Sequence, residues 1–124
     1  MIQIAPQMRV LAAIEPADFR QGIDGLAQLC RARLHDDPFS GAIFVFCNRG
    51  RTAVKALIYD GQGFWLCHKR LSSGRFRWWP PRAGGPAAPL RPHELAVLLS
   101  GGDPSAAGAV PDWRAVAPGE KSRV

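Results

Sequence analysis

Ala42-Ile43-Phe44-Val45-Phe46 is an unbroken apolar run rich in β-branched and aromatic side chains. Neighbouring side chains of a strand point to opposite faces, so such a run needs apolar cover on both sides and belongs at the centre of a sheet. Before it, His35-Asp36-Asp37-Pro38 closes any helix, because proline pushes the residue ahead of it out of the α region. After it, Asn48-Arg49-Gly50-Arg51 supplies turn chemistry with two exposed cations.

Around this strand the remaining elements follow from periodicity. Arg9-Val10-Leu11-Ala12-Ala13-Ile14 reads as a short strand that Pro16 ends. From Gln21 to Leu34 the residues Ile23, Leu26, Leu29, Cys30 and Leu34 recur at helical spacing, with Asp18 as the expected cap and Gly22 and Gly25 weakening the first turn. Thr52 to Tyr59 and Phe64 to Arg70 flank Asp60-Gly61-Gln62-Gly63, a connection of hairpin length. Ser72-Ser73-Gly74 leads on into Arg75-Phe76-Arg77-Trp78-Trp79, making three or four sequential strands.

With Tyr59 opposite Phe64, alternation places Lys55, Leu57, Tyr59, Phe64, Leu66, His68 and Arg70 on one face. Val54, Ala56, Ile58, Trp65 and Cys67 share the other, the more apolar face, on which the first helix is expected to pack. Pro80 to Pro89 reads as a Pro/Gly-rich loop, since four prolines lack donors. Pro92 suits the first turn of a short helix with Leu95, Leu98 and Leu99 on its apolar stripe, stopped by Gly101-Gly102. The predicted fold is α+β: a small antiparallel β-meander sheet with a helix before it and a short helix after it. Residues 1–102 form one domain, with the 80–89 loop inside it, and residues 103–124 are an expected disordered tail.

A chain of 124 residues with 47% hydrophobic content suits one domain. It shows no membrane-length apolar run and no signal peptide, so the expected location is cytoplasmic, with no membrane partner. Cys30, Cys47 and Cys67 lie apart in apolar stretches, as reduced core thiols do, and His35, His68 and His93 are scattered, so no metal or other cofactor is expected. Phosphate-cradling, nucleophile-elbow and zincin motifs are missing, which argues against an enzyme and against a small-molecule substrate. Asp18 and Asp24 suit a helix start, and Asp60 suits its turn, without any reaction.

Charge is the more pointed signal. Between Cys47 and Trp79 stand Arg49, Arg51, Lys55, Lys69, Arg70, Arg75 and Arg77 against Asp60 alone, so this stretch carries the whole formal charge of +6. A concentrated positive field attracts polyanions, and these seven cations are the candidate nucleic-acid contacts. Most of the interleaved aromatics suit sheet packing. Trp78-Trp79 is the exception, because adjacent strand residues face opposite ways, which makes these two indoles the candidate partner-binding residues.

Asp18-Phe19-Arg20-Gln21-Gly22-Ile23-Asp24-Gly25-Leu26, Asp37-Pro38-Phe39-Ser40-Gly41-Ala42-Ile43-Phe44-Val45-Phe46, Asn48-Arg49-Gly50-Arg51, Tyr59-Asp60-Gly61-Gln62-Gly63-Phe64 and Lys69-Arg70-Leu71-Ser72-Ser73-Gly74-Arg75-Phe76 follow one another in an order that resembles a known family. The family resembled is that of the TnpB-type accessory proteins, encoded by the second open reading frame, of the insertion-sequence-sixty-six family of bacterial transposable elements. The resemblance implies a protein that accompanies a separate transposase, its expected partner, without being the catalytic subunit. Joined to the charge, it suggests an accessory subunit that binds DNA and helps assemble the transposase. The alternative is a module that binds the transposase without touching nucleic acid, and a third reading is a domain that stacks single-stranded bases.

Overall fold

A computed structural model describes residues 8–82 and 84–105. Five strands and two helices follow in the order β1 (Val10–Ala13), α1 (Ile23–Ala32), β2 (Ile43–Cys47), β3 (Ala53–Tyr59), β4 (Phe64–Arg70), β5 (Ala87–Leu90) and α2 (Pro92–Leu99). The sheet order is β4-β3-β2-β1-β5. The meander β2-β3-β4 is antiparallel, whereas β1 runs parallel to β2 through the α1 crossover. The predicted α+β class holds, with one parallel pair in a mostly antiparallel sheet.

Each half of the apolar run meets its own layer. Ile43, Val45 and Cys47 join Val10, Ala12, Val54 and Ile58 against Leu95 and Leu98 of α2. Phe44 and Phe46 join Leu57 against Leu26, Ala27 and Cys30 of α1. This corrects the predicted packing face: α1 covers the Leu57 side of β3, and the Val54, Ala56 and Ile58 side belongs to α2. The predicted hairpin register is the observed one, with Tyr59 opposite Phe64.

Helix α1 starts later than its periodicity suggests. Gly22, in an extended conformation, precedes it with no side-chain cap. Asp18 is therefore not the cap; its carboxylate instead accepts the Arg20 backbone N–H at 2.9 Å and the Arg20 guanidinium at 2.8 Å. Helix α2 follows the expected signals: Pro92 stands in its first turn, and Glu94 Oε1 accepts the Arg91 N–H at 2.7 Å.

After β4 the chain leaves the sheet and recrosses its α2 face. Arg75 to Trp79 is not a strand, so side-chain alternation does not govern it. Trp79 is 5% exposed and its Nε1 donates to Ala13 O at 2.8 Å, while Trp78 is half-buried against the same cluster. Of the two candidate partner-binding indoles, Trp79 is thus held in the core and Trp78 keeps part of its surface open. Part of the predicted 80–89 loop is also ordered as β5, which pairs with β1; Pro89 is tolerated because this strand is the sheet edge. Of the predicted tail, residues 106–124 lie outside the described residues.

Candidate nucleic-acid interface

The C-terminal ends of β2 and β4 and the N-terminal end of β3 meet at one end of the sheet. There the turn after β2 is built by Asn48, whose Oδ1 accepts the N–H groups of Thr52 at 2.9 Å and Ala53 at 3.1 Å. Leu71 N–H donates to Thr52 O at 2.9 Å and Phe76 N–H to Arg51 O at 2.8 Å. Those two bonds lace the segment after β4 to the turn. Arg49, Arg51, Arg70, Arg75 and Arg77 are gathered here, all exposed, with the buried Phe76 anchoring its two flanking arginines.

Electrostatics at this end favour an external anion. None of these five arginines forms an ion pair among the described residues. Two acids on the chain between β1 and α1 are already engaged: Glu15 pairs with Arg82, and the hydrogen-bonding Arg20 guanidinium holds the Asp18 carboxyl down at about 2. An open groove of about 630 Å³ adjoins the turn, bordered by Phe19, Gln21, Arg33, Asn48 and Arg49. At the opposite end of the sheet Asp60 closes the β3–β4 turn, its carboxyl held below the usual range by the N–H groups of Gly63 and Gln62 and the Trp65 indole.

Two of the seven predicted cations are placed otherwise. Lys55 does not project from its hairpin: it is 7% exposed, and its Nζ donates to Phe19 O at 3.0 Å and Gln21 O at 2.9 Å, 5.0 Å from the Phe19 ring centre. Its role here is to tie the loop before α1 to the sheet. Lys69 is exposed, but its Nζ donates to Leu99 O at 2.7 Å, where a cation complements the C-terminal end of α2. Lys55→Met is expected to cost about 2–3 kcal/mol, because two carbonyls lose a charged donor, while leaving the salt dependence of any DNA binding unchanged. Urea unfolding and DNA titration of the variant check both halves.

The exposed large apolar side chains lie elsewhere. Phe39 and Trp65 are 48% and 49% exposed. Phe39 packs edge-on against Tyr59, with ring centres 4.8 Å apart, and Trp65 bonds to Asp60, so both sit toward the Asp60 end. Periodicity could not reveal this separation of the exposed aromatics from the arginine cluster, because it depends on sheet order. Among the described residues no group of three His, Cys, Asp or Glu side chains is placed to hold a metal ion, and no helix is long and apolar enough to cross a membrane.

No solved structure matches the chain. Two proteins of Sinorhizobium fredii (strain NBRC 101917 / NGR234) are similar to it. The uncharacterized protein y4jC is 36% identical over 103 residues, covering 83% of this chain and 86% of that protein. The uncharacterized protein y4hO is 39% identical over 103 residues, covering 83% of this chain and 88% of its own length. The model of the family described as IS66 Orf2 like protein matches residues 8–109, and the chain belongs to that family.

Proposed function

We propose that the protein is a non-catalytic accessory of transposition that grips duplex DNA through its phosphates and helps assemble the transposase on the element's ends. The observation that carries the DNA contact is the cluster Arg49, Arg51, Arg70, Arg75 and Arg77, exposed and without ion pairs among the described residues. Family membership supports the transposition setting. Lys69 stands at the margin of this surface and contributes field even while bonded to Leu99.

Phosphate contact without base readout suits this geometry, since the arginines come from a turn, a strand end and a chain crossing and not from a helix laid in a groove. A single-strand stacking surface needs aromatics among its cations. Here the exposed aromatics sit at the other end of the sheet, which favours duplex over single strand. The test is titration of nuclease-treated protein with duplex DNA across a salt series. Micromolar or tighter affinity at about 50 mM salt, falling steeply as salt rises, is expected; no binding there overturns the proposal.

Arg51 offers a sharper check because its φ of 58° is one that side-chain-bearing residues rarely adopt. Arg51→Gly relieves about 1 kcal/mol of backbone strain, offset in part by glycine's greater freedom in the unfolded chain. Stability is therefore expected to hold or rise while the salt slope of DNA binding falls by about 0.9, one phosphate's worth. A loss of stability with an unchanged slope would make Arg51 a structural residue.

A further inference from the structure

The two edges of the sheet differ in kind. β5 is four residues long and carries Pro89, which cannot donate, whereas β4 is a seven-residue strand whose outer side pairs with no strand among the described residues. The hydrogen bonds Leu71 N–H to Thr52 O and Asp60 N–H to Gly63 O fix the phase of the β3–β4 ladder. Because bonded and non-bonded pairs alternate, Trp65, Cys67 and Lys69 spend their backbone groups on β3. Phe64, Leu66, His68 and Arg70 therefore turn theirs outward. Such a row of free donors and acceptors is a template for another strand.

We infer that this edge pairs with β4 of a second copy of the chain, antiparallel about a two-fold axis at Cys67, to give one continuous ten-stranded sheet. The strand Phe64-Trp65-Leu66-Cys67-His68-Lys69-Arg70 is complementary to its own reverse, with aromatics in the first half and cations in the second. Antiparallel pairing about Cys67 sets Trp65 opposite Lys69 and Phe64 opposite Arg70 of the other copy, matching each cation with an aromatic face. A register centred on Lys69 would oppose like charges, and parallel pairing would stack the cationic halves together. Charge thus excludes the Lys69 register and the parallel direction, and the Cys67 register is the one that sets both cations against aromatics.

The phase argument makes a geometric demand that can be checked. On the new edge Leu66↔His68 and Phe64↔Arg70 exchange backbone bonds, so Cys67 faces its symmetry mate in a non-hydrogen-bonded pair, where Cα atoms lie about 4.5 Å apart, within disulfide range. The other two thiols cannot substitute for it. Cys30 and Cys47 are buried, and burial pushes them up to about 12 and about 11, leaving little thiolate to react. In such a dimer the two arginine-rich ends point in opposite directions, offering DNA two separate contacts.

Sedimentation equilibrium of the DNA-free protein at micromolar concentrations is expected to show a dimer, and mild copper-phenanthroline oxidation to lock it covalently. Cys67→Ser should abolish the covalent link and keep the dimer. Trp65→Lys, at a half-exposed position where folding tolerates change, should weaken dimerisation at least tenfold by opposing Lys69, and Trp65→Lys/Lys69→Glu should restore it. A monomer throughout the concentration range, cross-linking that survives Cys67→Ser, or a dimer indifferent to Trp65→Lys would each overturn the inference. Any of these results would leave the DNA-binding proposal standing, since four of its five arginines, Arg49, Arg51, Arg75 and Arg77, lie off this edge.

Discussion

Trp79→Ala is expected to cost about 3–5 kcal/mol, a large share of the roughly 5–15 kcal/mol that holds an ordinary domain together. The indole is 5% exposed and belongs to the cluster formed by Val10, Ala12, Val45, Phe76 and Leu90. Its removal opens a cavity where the chain recrosses the sheet and leaves Ala13 O, the acceptor of Nε1 at 2.8 Å, without its donor. Trp79→Phe separates the two effects: it keeps most of the packing and loses the bond, for about 1–3 kcal/mol. Urea denaturation measures both. A change below about 0.5 kcal/mol in Trp79→Ala would mean that the indole is a surface group available to a partner, as its place beside Trp78 first suggested.

Neutralising Arg49, Arg51, Arg75 and Arg77 together is the second large change, and it acts on binding and not on folding. All four are exposed and make no ion pair among the described residues, so their replacement by glutamine removes charge with little packing loss. Four phosphate contacts carry about 3.6 units of salt slope, which corresponds to roughly a thousandfold or more in affinity at about 0.1 M salt relative to 1 M. Arg70 is left in place because it also stands on the β4 edge. The variant's urea midpoint is expected to stay within the usual surface range, about 0.5 kcal/mol of the parent.

The parts legible from the chain were those set by local chemistry. The run from Ala42 to Phe46 demanded a strand covered on both faces, and it received one helix on each. The Asp60-Gly61-Gln62-Gly63 turn fixed the hairpin register, and Gly61, at φ 97°, shows why glycine stands there. Pro92 and Gly101 bracket α2 as their conformational limits require.

What misled was long-range. Lys55 marked its face of β3 as the wet one, yet two carbonyls from the loop before α1 satisfy its ammonium, and so α1 packs on that face. Asp18 read as a helix cap because nothing local shows that Arg20 takes its carboxylate. Trp78 and Trp79 were separated by an alternation rule that applies only to strands, and this segment is not one. Pro89 argued for a loop, but an edge strand needs no donor on its outer side. For the arginine cluster, charge counting found the residues; the bonds from Leu71 and Phe76 that gather them depend on strand order and are invisible in one dimension.

The most direct test of the arginine surface is the slope of log affinity for duplex DNA against log salt, measured side by side for the parent and for the variant with Arg49, Arg51, Arg75 and Arg77 changed to glutamine. Between about 50 and 200 mM salt the parent slope should exceed that of the variant by about 3–4, with the variant folded by circular dichroism. Equal slopes in two folded proteins would contradict the account and place the DNA contact, if there is one, elsewhere on the molecule.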